Sequence, residues 1–150
     1  GMDPGEIRQV ISAAKARGMS VMAHANGAET VRAAAEAGVD TVEHGAYLNR
    51  DALQACADYG VIWVPTLSAI GNLRGKGRFS EPDVERILAS AMENVAQYAS
   101  MGGLIAPGTD AGAWAVPHGS LTEYALLKEC LGSGWETLLE RGARALEARF

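Results

Sequence analysis

Four short apolar segments that alternate with helix-forming segments most strongly limit how this chain can fold. Each helical pattern ends at a glycine, and the apolar segment that follows is continuous instead of alternating with polar residues. Continuous apolar runs are typical of parallel strands that are buried on both faces. Strands joined by helical crossovers run parallel, with right-handed connections. We therefore predict an α/β fold with four parallel strands, at residues 20–25, 40–44, 61–67 and 104–108.

Capping signals indicate where the helices begin. Asp3 precedes a proline and stands three residues before Glu6, which predicts a capping box. The longest helix is predicted after Ser80, where an apolar stripe at helical spacing starts. Residues 70–79, rich in glycine and basic residues, are predicted to form a surface loop, and they lack the Gly-Lys-Ser/Thr ending of a phosphate-binding loop. Further caps are predicted at Asn49 and, as a second capping box, at Ser120 with Glu123.

Composition sets the size and the class of the protein. The chain has 150 residues, 48% of them hydrophobic and 21% charged, which suffices for one domain with its own core, so residues 1–150 are predicted to form a single domain. A formal net charge of -5 disfavours nucleic acid as a partner, since phosphate binding needs a basic surface. No apolar stretch reaches the ~20 residues of a membrane span and no leader pattern opens the chain, so a cytoplasmic protein without membrane contact is expected. Cys56 and Cys130 are expected to be reduced thiols.

Three metal-capable side chains stand where predicted strands end. His24 and His44 follow the first two strands, and Asp110 follows the fourth. The carboxyl ends of parallel strands lie at one edge of a sheet, where binding and catalytic groups gather. Imidazoles and a carboxylate are the usual ligands of a catalytic zinc ion, which keeps one position for water. Each residue by itself also suits a hydrogen-bonded or turn-forming role, but together the three predict one metal site.

The same segments resemble a known family. The motifs are VMAHANG at 21–27, GVDTVEHG at 38–45, VPTL at 64–67, PGTDAG at 107–112 and PHG at 117–119. In this order, along nearly the whole chain, they resemble the imidazolonepropionase-like branch of the amidohydrolase superfamily, which includes Xaa-Pro dipeptidases and related enzymes. The resemblance implies a metal-dependent (β/α)8, or TIM, barrel hydrolase that cleaves carbon-nitrogen bonds in amides, dipeptides or cyclic amides. It also implies a small-molecule substrate and a divalent metal, expected to be zinc.

The resemblance also assigns roles to single residues. His24 matches the ligand of the family's fifth strand, His44 that of the sixth and Asp110 that of the eighth. Asp110 would in addition carry a proton from the attacking water to the leaving group. His118, Tyr47 and Trp114 lie where the family has substrate-facing loops, and they are predicted to bind substrate. From the residues alone, His118 can equally shape a turn and Trp114 can pack a loop.

The chain also departs from the family pattern. It has no counterpart of the first-strand His-x-His pair or of the fourth-strand bridging ligand, because it begins with what would be the barrel's fourth helix. We therefore expect half a barrel that pairs with a second copy as a homodimer or with the missing half. An open, flavodoxin-like sheet is the alternative.

Three functions fit this sequence. The first is a metal-dependent amidohydrolase, and the second is a metal-binding half-barrel without activity. The third is an open-sheet module that binds a small anion at loops such as residues 108–110.

Overall fold

Helices and strands alternate along the computed structural model, which describes residues 1–112 and 115–150. The strands form one parallel sheet in the order β1-β2-β3-β4, so each strand lies beside the next one along the chain. This confirms the predicted α/β fold with four parallel strands. The elements are α1 (Pro4–Lys15), β1 (Met22–Ala25), α2 (Ala28–Glu36), β2 (Thr41–His44), α3 (Arg50–Asp58), β3 (Ile62–Val64), α4 (Leu67–Gly71), α5 (Glu81–Ser100), β4 (Leu104–Ile105), α6 (Thr122–Leu131) and α7 (Trp135–Glu147).

The strands are shorter than the apolar runs that predicted them. β3 stops at Val64, whereas the prediction extended to Leu67, and β4 stops at Ile105. The physical reason at β3 is Thr66, whose left-handed backbone (φ 47°) turns the chain into α4. Apolar composition alone does not report such a turn, because the residues after it are buried as well.

The capping signals succeeded at two helices. Asp3 and Glu6 form the predicted capping box at α1, and the Asn49 side chain accepts a hydrogen bond from the Ala52 amide at 3.0 Å. The second predicted capping box, Ser120 with Glu123, is wrong. Leu121 occupies the N-cap position of α6, while the Glu123 side chain is fully buried.

The main core lies between one face of the sheet and helices α1, α2, α3, α5, α6 and α7. Trp63 is 2% exposed there, as predicted, and its ring meets that of Tyr98 edge to face. The Tyr98 hydroxyl donates to the Val61 carbonyl at 2.6 Å, which satisfies the polar end of this buried side chain. A smaller cluster on the opposite face comprises Ile62, Val64 and Ala106, with Leu104 and with Ala145 and Leu146 of α7.

Helix α7 closes the β4 side of the sheet. The Ala106 amide donates to Trp63 of β3, so in a parallel pair the groups of its neighbour Ile105 point away from β3, to the open edge. Gly142 packs directly against that edge, because a Cβ added there would lie 1.9 Å from the Ile105 carbonyl oxygen. Arg141 donates to the carbonyl of Gly103 at 2.8 Å. The edge of β4 is therefore covered, whereas β1 forms the other edge.

A buried carboxylate ties the amino-terminal end of the sheet together. Asp40, 4% exposed, accepts hydrogen bonds from Lys15, from the Val21 amide at 2.8 Å and from Arg149 at 2.9 Å. Burial by itself would raise the pKa of Asp40, but these three donors more than offset it and hold the pKa below its usual value. The cluster joins α1, the β1–β2 end and the segment after α7.

We expect Asp40→Asn to destabilise the chain by about 1–3 kcal/mol near pH 7, because it removes the charge that both cations face. A carboxylate whose pKa is lowered by folding stabilises the folded state fully at pH values above its unfolded-state pKa. This contribution is lost as the pH falls from the unfolded-state pKa through the folded-state pKa. The difference in melting temperature between wild type and variant should therefore become smaller as the pH falls below 3.8, the ordinary pKa of an aspartate side chain. Thermal denaturation from pH 3 to pH 7 measures it. An equal difference at every pH would contradict the assignment.

The two cysteines and the length of the helices bear on further predictions from the sequence. Cys56 and Cys130 are unpaired thiols, as predicted, and burial raises the pKa of Cys56 to about 12 and that of Cys130 to about 11. Among the residues described, no helix is both long and apolar enough to cross a membrane.

Candidate active site

Two histidines meet at the carboxyl ends of β1 and β2. The distance from His24 Nδ1 to His44 Nε2 is 2.8 Å, and the ring centroids are 4.2 Å apart at an interplanar angle of 70°. The loops behind them are joined as well, because the Asn26 side chain accepts from the Ala46 amide at 2.8 Å. The structure thus brings together two of the three predicted metal ligands.

Thr66 holds the second nitrogen of His44. Its Oγ1 lies 2.7 Å from His44 Nδ1, and when Nδ1 donates to this hydroxyl, Nε2 presents its lone pair toward His24. Behind the ring, the Trp63 indole Nε1 donates to the His44 carbonyl at 3.0 Å. Gly45 leaves room for that indole, since a Cβ there would lie 2.5 Å from Nε1. The orientation of His44 is therefore fixed from both ends.

The backbone is unusual at three residues that lie at or after the carboxyl ends of strands. His44, Thr66 and Asp110 all have positive φ angles, of 71°, 47° and 53°. This left-handed region is costly for residues other than glycine, above all for a β-branched residue such as Thr66. Conformations of this kind persist where the surrounding structure enforces them, and they concentrate at functional sites. The sequence did not mark Thr66 as a site residue, because residue 66 falls inside the third predicted strand, which in the structure ends at Val64.

The electrostatics of the site keep His44 neutral. Burial lowers the pKa of His44, the neighbouring His24 lowers it further, and Asp110 and Glu43 oppose the shift without cancelling it. A neutral imidazole offers a lone pair without first losing a proton, so His44 is ready to bind a metal ion.

Asp110 lies near the histidine pair without joining it. Its charge acts on His44, but its residue is exposed, and the described residues contain no group of three or more histidine, cysteine, aspartate or glutamate side chains arranged to hold a metal. The loop before it is anchored, because the Ser68 hydroxyl donates to the Thr109 carbonyl at 2.7 Å. The role of Asp110 as third ligand stays a prediction.

The remaining predicted site residues are scattered. Tyr47 is 65% exposed after β2. His118 is also exposed and lies over Gly112, where an added Cβ would be 3.7 Å from the imidazole. Neither has a described contact with the histidine pair, so their substrate-binding roles stay predictions. Trp114 lies outside the described residues.

Glu43 directly precedes His44 in β2. Its carboxylate accepts a hydrogen bond from Thr41 Oγ1 at 2.6 Å, within the same strand. Its register partner in β1 is His24, and paired residues of neighbouring strands share a face. Glu43 therefore adds negative charge on the face that carries His24.

A small cavity opens beside the two imidazoles. It measures about 200 Å³, and its polar wall consists of His24, Asn26, His44 and Thr66. Pro65, Ala69 and Ile70 form most of the apolar wall. Pockets for drug-sized ligands measure roughly 300–1,000 Å³, so this cavity suits a smaller molecule or one side chain of it.

The histidine pair fits a divalent metal ion. Two nitrogens that bind one tetrahedral zinc ion at about 2.0–2.1 Å lie about 3.3 Å apart. His24 Nδ1 and His44 Nε2 are hydrogen-bonded at 2.8 Å, so a separation larger by about 0.5 Å would let both bind one ion. Ligating histidines also hold their second nitrogen in a hydrogen bond, as His44 does with Thr66. The donor set thus has the chemistry that a metal requires.

The sequence pattern of the amidohydrolase family matches residues 1–150, the whole chain. The chain belongs to the amidohydrolase family. The predicted family is thereby confirmed, and enzymes of this family generally use divalent metals. Curated relatives include an uncharacterized protein of Mycobacterium tuberculosis, 28% identical over 149 residues, which are 95% of this chain and 40% of the relative.

Solved structures of amidohydrolases share the fold. A Xaa-Pro dipeptidase with methionine bound in its active site is 28% identical, with a TM-score of 0.80 over 99% of this chain and 39% of that protein. A candidate prolidase from Bifidobacterium longum is 26% identical, with a TM-score of 0.79 over 99% of this chain and 41% of that protein. The chain therefore spans about two fifths of each of these relatives, which is consistent with half of a TIM barrel.

Proposed function

We propose that this chain carries the metal-binding half of an amidohydrolase that cleaves carbon-nitrogen bonds in small amides or dipeptides. One observation carries the proposal: His24 Nδ1 and His44 Nε2 face each other at 2.8 Å at the carboxyl ends of adjacent parallel strands. Catalytic groups of barrel enzymes gather at that edge. Membership of the amidohydrolase family supports the same chemistry.

Different residues of this chain have different roles in the proposed reaction. His24 and His44 hold the metal, and Thr66 keeps the His44 ring in its binding orientation. A divalent metal, when bound, polarises the scissile carbonyl and lowers the pKa of water. Asp110 takes a proton from the water whose oxygen attacks the carbonyl carbon, and delivers it to the nitrogen as the carbon-nitrogen bond breaks. One water is consumed, and the products are an acid and an amine.

The small cavity supports a small substrate. Its polar wall contains the two imidazoles, and its apolar wall contains Pro65, Ala69 and Ile70. A short apolar side chain or ring beside the scissile bond suits these surroundings. The match to a Xaa-Pro dipeptidase supports dipeptides and N-acyl amino acids as the first compounds to test.

Metal titration followed by turnover tests this function. The chelator-stripped chain is titrated with Zn²⁺ by calorimetry, then assayed for release of amino acid from Xaa-Pro dipeptides and N-acyl amino acids. We expect about one ion per chain, and turnover that depends on the ion. Binding without turnover of any compound would favour a non-catalytic metal-binding half-barrel. A chain that binds no zinc would overturn the proposal and leave small-anion binding at residues 108–110 as the hypothesis to pursue.

The proposed partner is a second copy of this chain, joined through β1. The edge of β4 is covered by α7, but β1 is an edge strand whose Met22 is 55% exposed. An apolar groove of about 380 Å³ runs beside it, lined by Met2, Val10 and Ile11 among others. Free strand edges next to exposed apolar side chains favour pairing, and a symmetric dimer would use the same edge twice. Light scattering should give twice 15.7 kDa, whereas a monomer at high concentration would contradict the dimer and favour a different polypeptide at β1.

Thr66 provides a specific test of how the metal site is oriented. Thr66→Val keeps the β-branched shape but removes the hydroxyl, so we expect zinc affinity to fall about 10- to 100-fold, as for other partners of ligating histidines. Thr66→Ser keeps the hydroxyl and serves as the matched control, with affinity close to that of the wild type. Equal affinities of the valine and serine variants would show that the hydrogen bond to His44 is dispensable.

A further inference from the structure

A buried carboxylate lies behind the site, and the proposed reaction does not use it. Glu123, in the first turn of α6, is 0% exposed. Its Oε2 accepts from the Ser68 amide at 2.6 Å, whereas its Oε1 is buried without a hydrogen-bond partner among the described residues. A carboxylate in such a place costs stability, because one of its oxygens gives up water and gains no donor.

This carboxylate is linked to both sides of the site. Ser68, which donates to Glu123, stands two residues after Thr66, the hydrogen-bond partner of His44. The hydroxyl of the same Ser68 donates to the Thr109 carbonyl at 2.7 Å, immediately before Asp110. One buried acid therefore fixes a serine that touches the strand-end segments of both β3 and β4.

The packing between α4 and α6 makes this connection tight. A Cβ added at Gly71 would lie 2.8 Å from the Leu126 Cδ1, so the two helices approach closely at that point. Thr122 Oγ1 donates to the Asn72 side chain at 3.1 Å, and that side chain donates in turn to the Ser68 carbonyl at 3.0 Å. Helix α6 is thus connected to Ser68 directly through Glu123 and indirectly through Thr122 and Asn72.

We infer that Glu123 is a positioning residue, which holds the strand-end segments of Thr66 and Asp110 in register with each other through Ser68. The site that it positions is the one of the proposed function, on which this inference rests. Burial raises the pKa of Glu123 to about 7, while hydrogen bonds from Ser68 and Leu67 offset part of that rise. The left-handed backbones of Thr66 and Asp110 persist only where the surrounding structure enforces them, and a hydrogen bond from Ser68 to a buried acceptor constrains the segments next to both residues.

Three variants separate positioning from simple packing. Glu123→Ala removes the acceptor of the Ser68 amide, whereas Glu123→Gln keeps one acceptor oxygen and replaces the other oxygen with an uncharged NH2 group. Leu127→Ala is the matched control, because Leu127 is also fully buried on α6 but packs only by its apolar side chain. Each folded variant is studied by ¹⁵N NMR of the imidazole nitrogens of His24 and His44, without metal, and then by zinc titration.

We expect Glu123→Ala to shift the His44 nitrogen signals and to weaken zinc binding about tenfold or more, the usual cost of losing a residue that supports ligands. Glu123→Gln should restore the signals and the affinity, and Leu127→Ala should lower only the melting temperature. Unchanged His44 signals in a folded Glu123→Ala chain would overturn the inference. If this variant does not fold, shifted signals in Leu127→Ala together with unshifted signals in Glu123→Gln would likewise overturn it, because general loosening of α6 would then suffice.

The NMR signals and the zinc titration also test the role of Glu123 and the proposed function separately. If the wild type binds no zinc, the proposed function fails, but the metal-free signals of His44 still report whether Glu123 positions Thr66. If zinc binds and the Glu123→Ala signals stay in place, the function stands and the inference fails.

Discussion

Alanine at His24, His44 or Asp110 should each abolish most of the zinc affinity. The two histidines point their ring nitrogens at one another across 2.8 Å, so either substitution leaves a single imidazole at the site. Loss of a residue that merely supports a ligand typically lowers metal affinity about 10- to 100-fold, and loss of a ligand should cost at least the upper end of that range. Calorimetric titration of each chelator-stripped variant measures the effect.

The control for this series is His118→Ala. His118 is exposed and its described neighbour is Gly112, so the affinity should stay within about threefold of the wild type if the site is the predicted one. Unaltered metal stoichiometry and affinity in the variants of His24, His44 and Asp110 would disprove a shared site. If only the His24 and His44 variants lose zinc affinity, the two histidines are the ligands from this chain and Asp110 is not a ligand.

Gly142→Ala should destabilise the chain by at least about 3 kcal/mol, against the usual preference for alanine in helices. The new Cβ would lie 1.9 Å from the Ile105 carbonyl oxygen and 3.0 Å from the Ala106 amide nitrogen, both backbone atoms of the sheet. Backbone cannot rotate aside as a side chain can, so α7 would have to leave the edge of β4. For a chain of this size the melting temperature should fall by about 6–12 °C.

Gly71→Ala offers a graded comparison. A methyl group there meets the Leu126 Cδ1 at 2.8 Å, the end of a flexible side chain that can change rotamer. We expect a smaller loss, of about 1 kcal/mol. Equal melting temperatures for Gly142→Ala and the wild type would show that α7 does not seal the β4 edge as described.

Capping signals and apolar runs predicted the helices and strands, because both depend on residues that are close together in the sequence. The Asp3 and Glu6 capping box and the Asn49 cap are contacts within one helical turn. The ends of strands were harder to predict, since the run from Val61 to Leu67 is apolar apart from Thr66 and the turn depends on the positive φ of that residue. Glu123 was misassigned for a related reason: its spacing from Ser120 suited a local cap, but its partner Ser68 is 55 positions away in the chain.

The amino-acid sequence by itself determined the α/β alternation, the family and the placement of His24, His44 and Asp110 at strand ends, because these follow from periodicity, motif order and side-chain chemistry. Only the tertiary structure decided how those ends are held. The support of His44 by Thr66 and Trp63, the burial of Glu123 against Ser68 and the seating of Gly142 on β4 all join residues distant in the chain. Such contacts depend on which strands and helices become neighbours, and local sequence patterns carry no record of that.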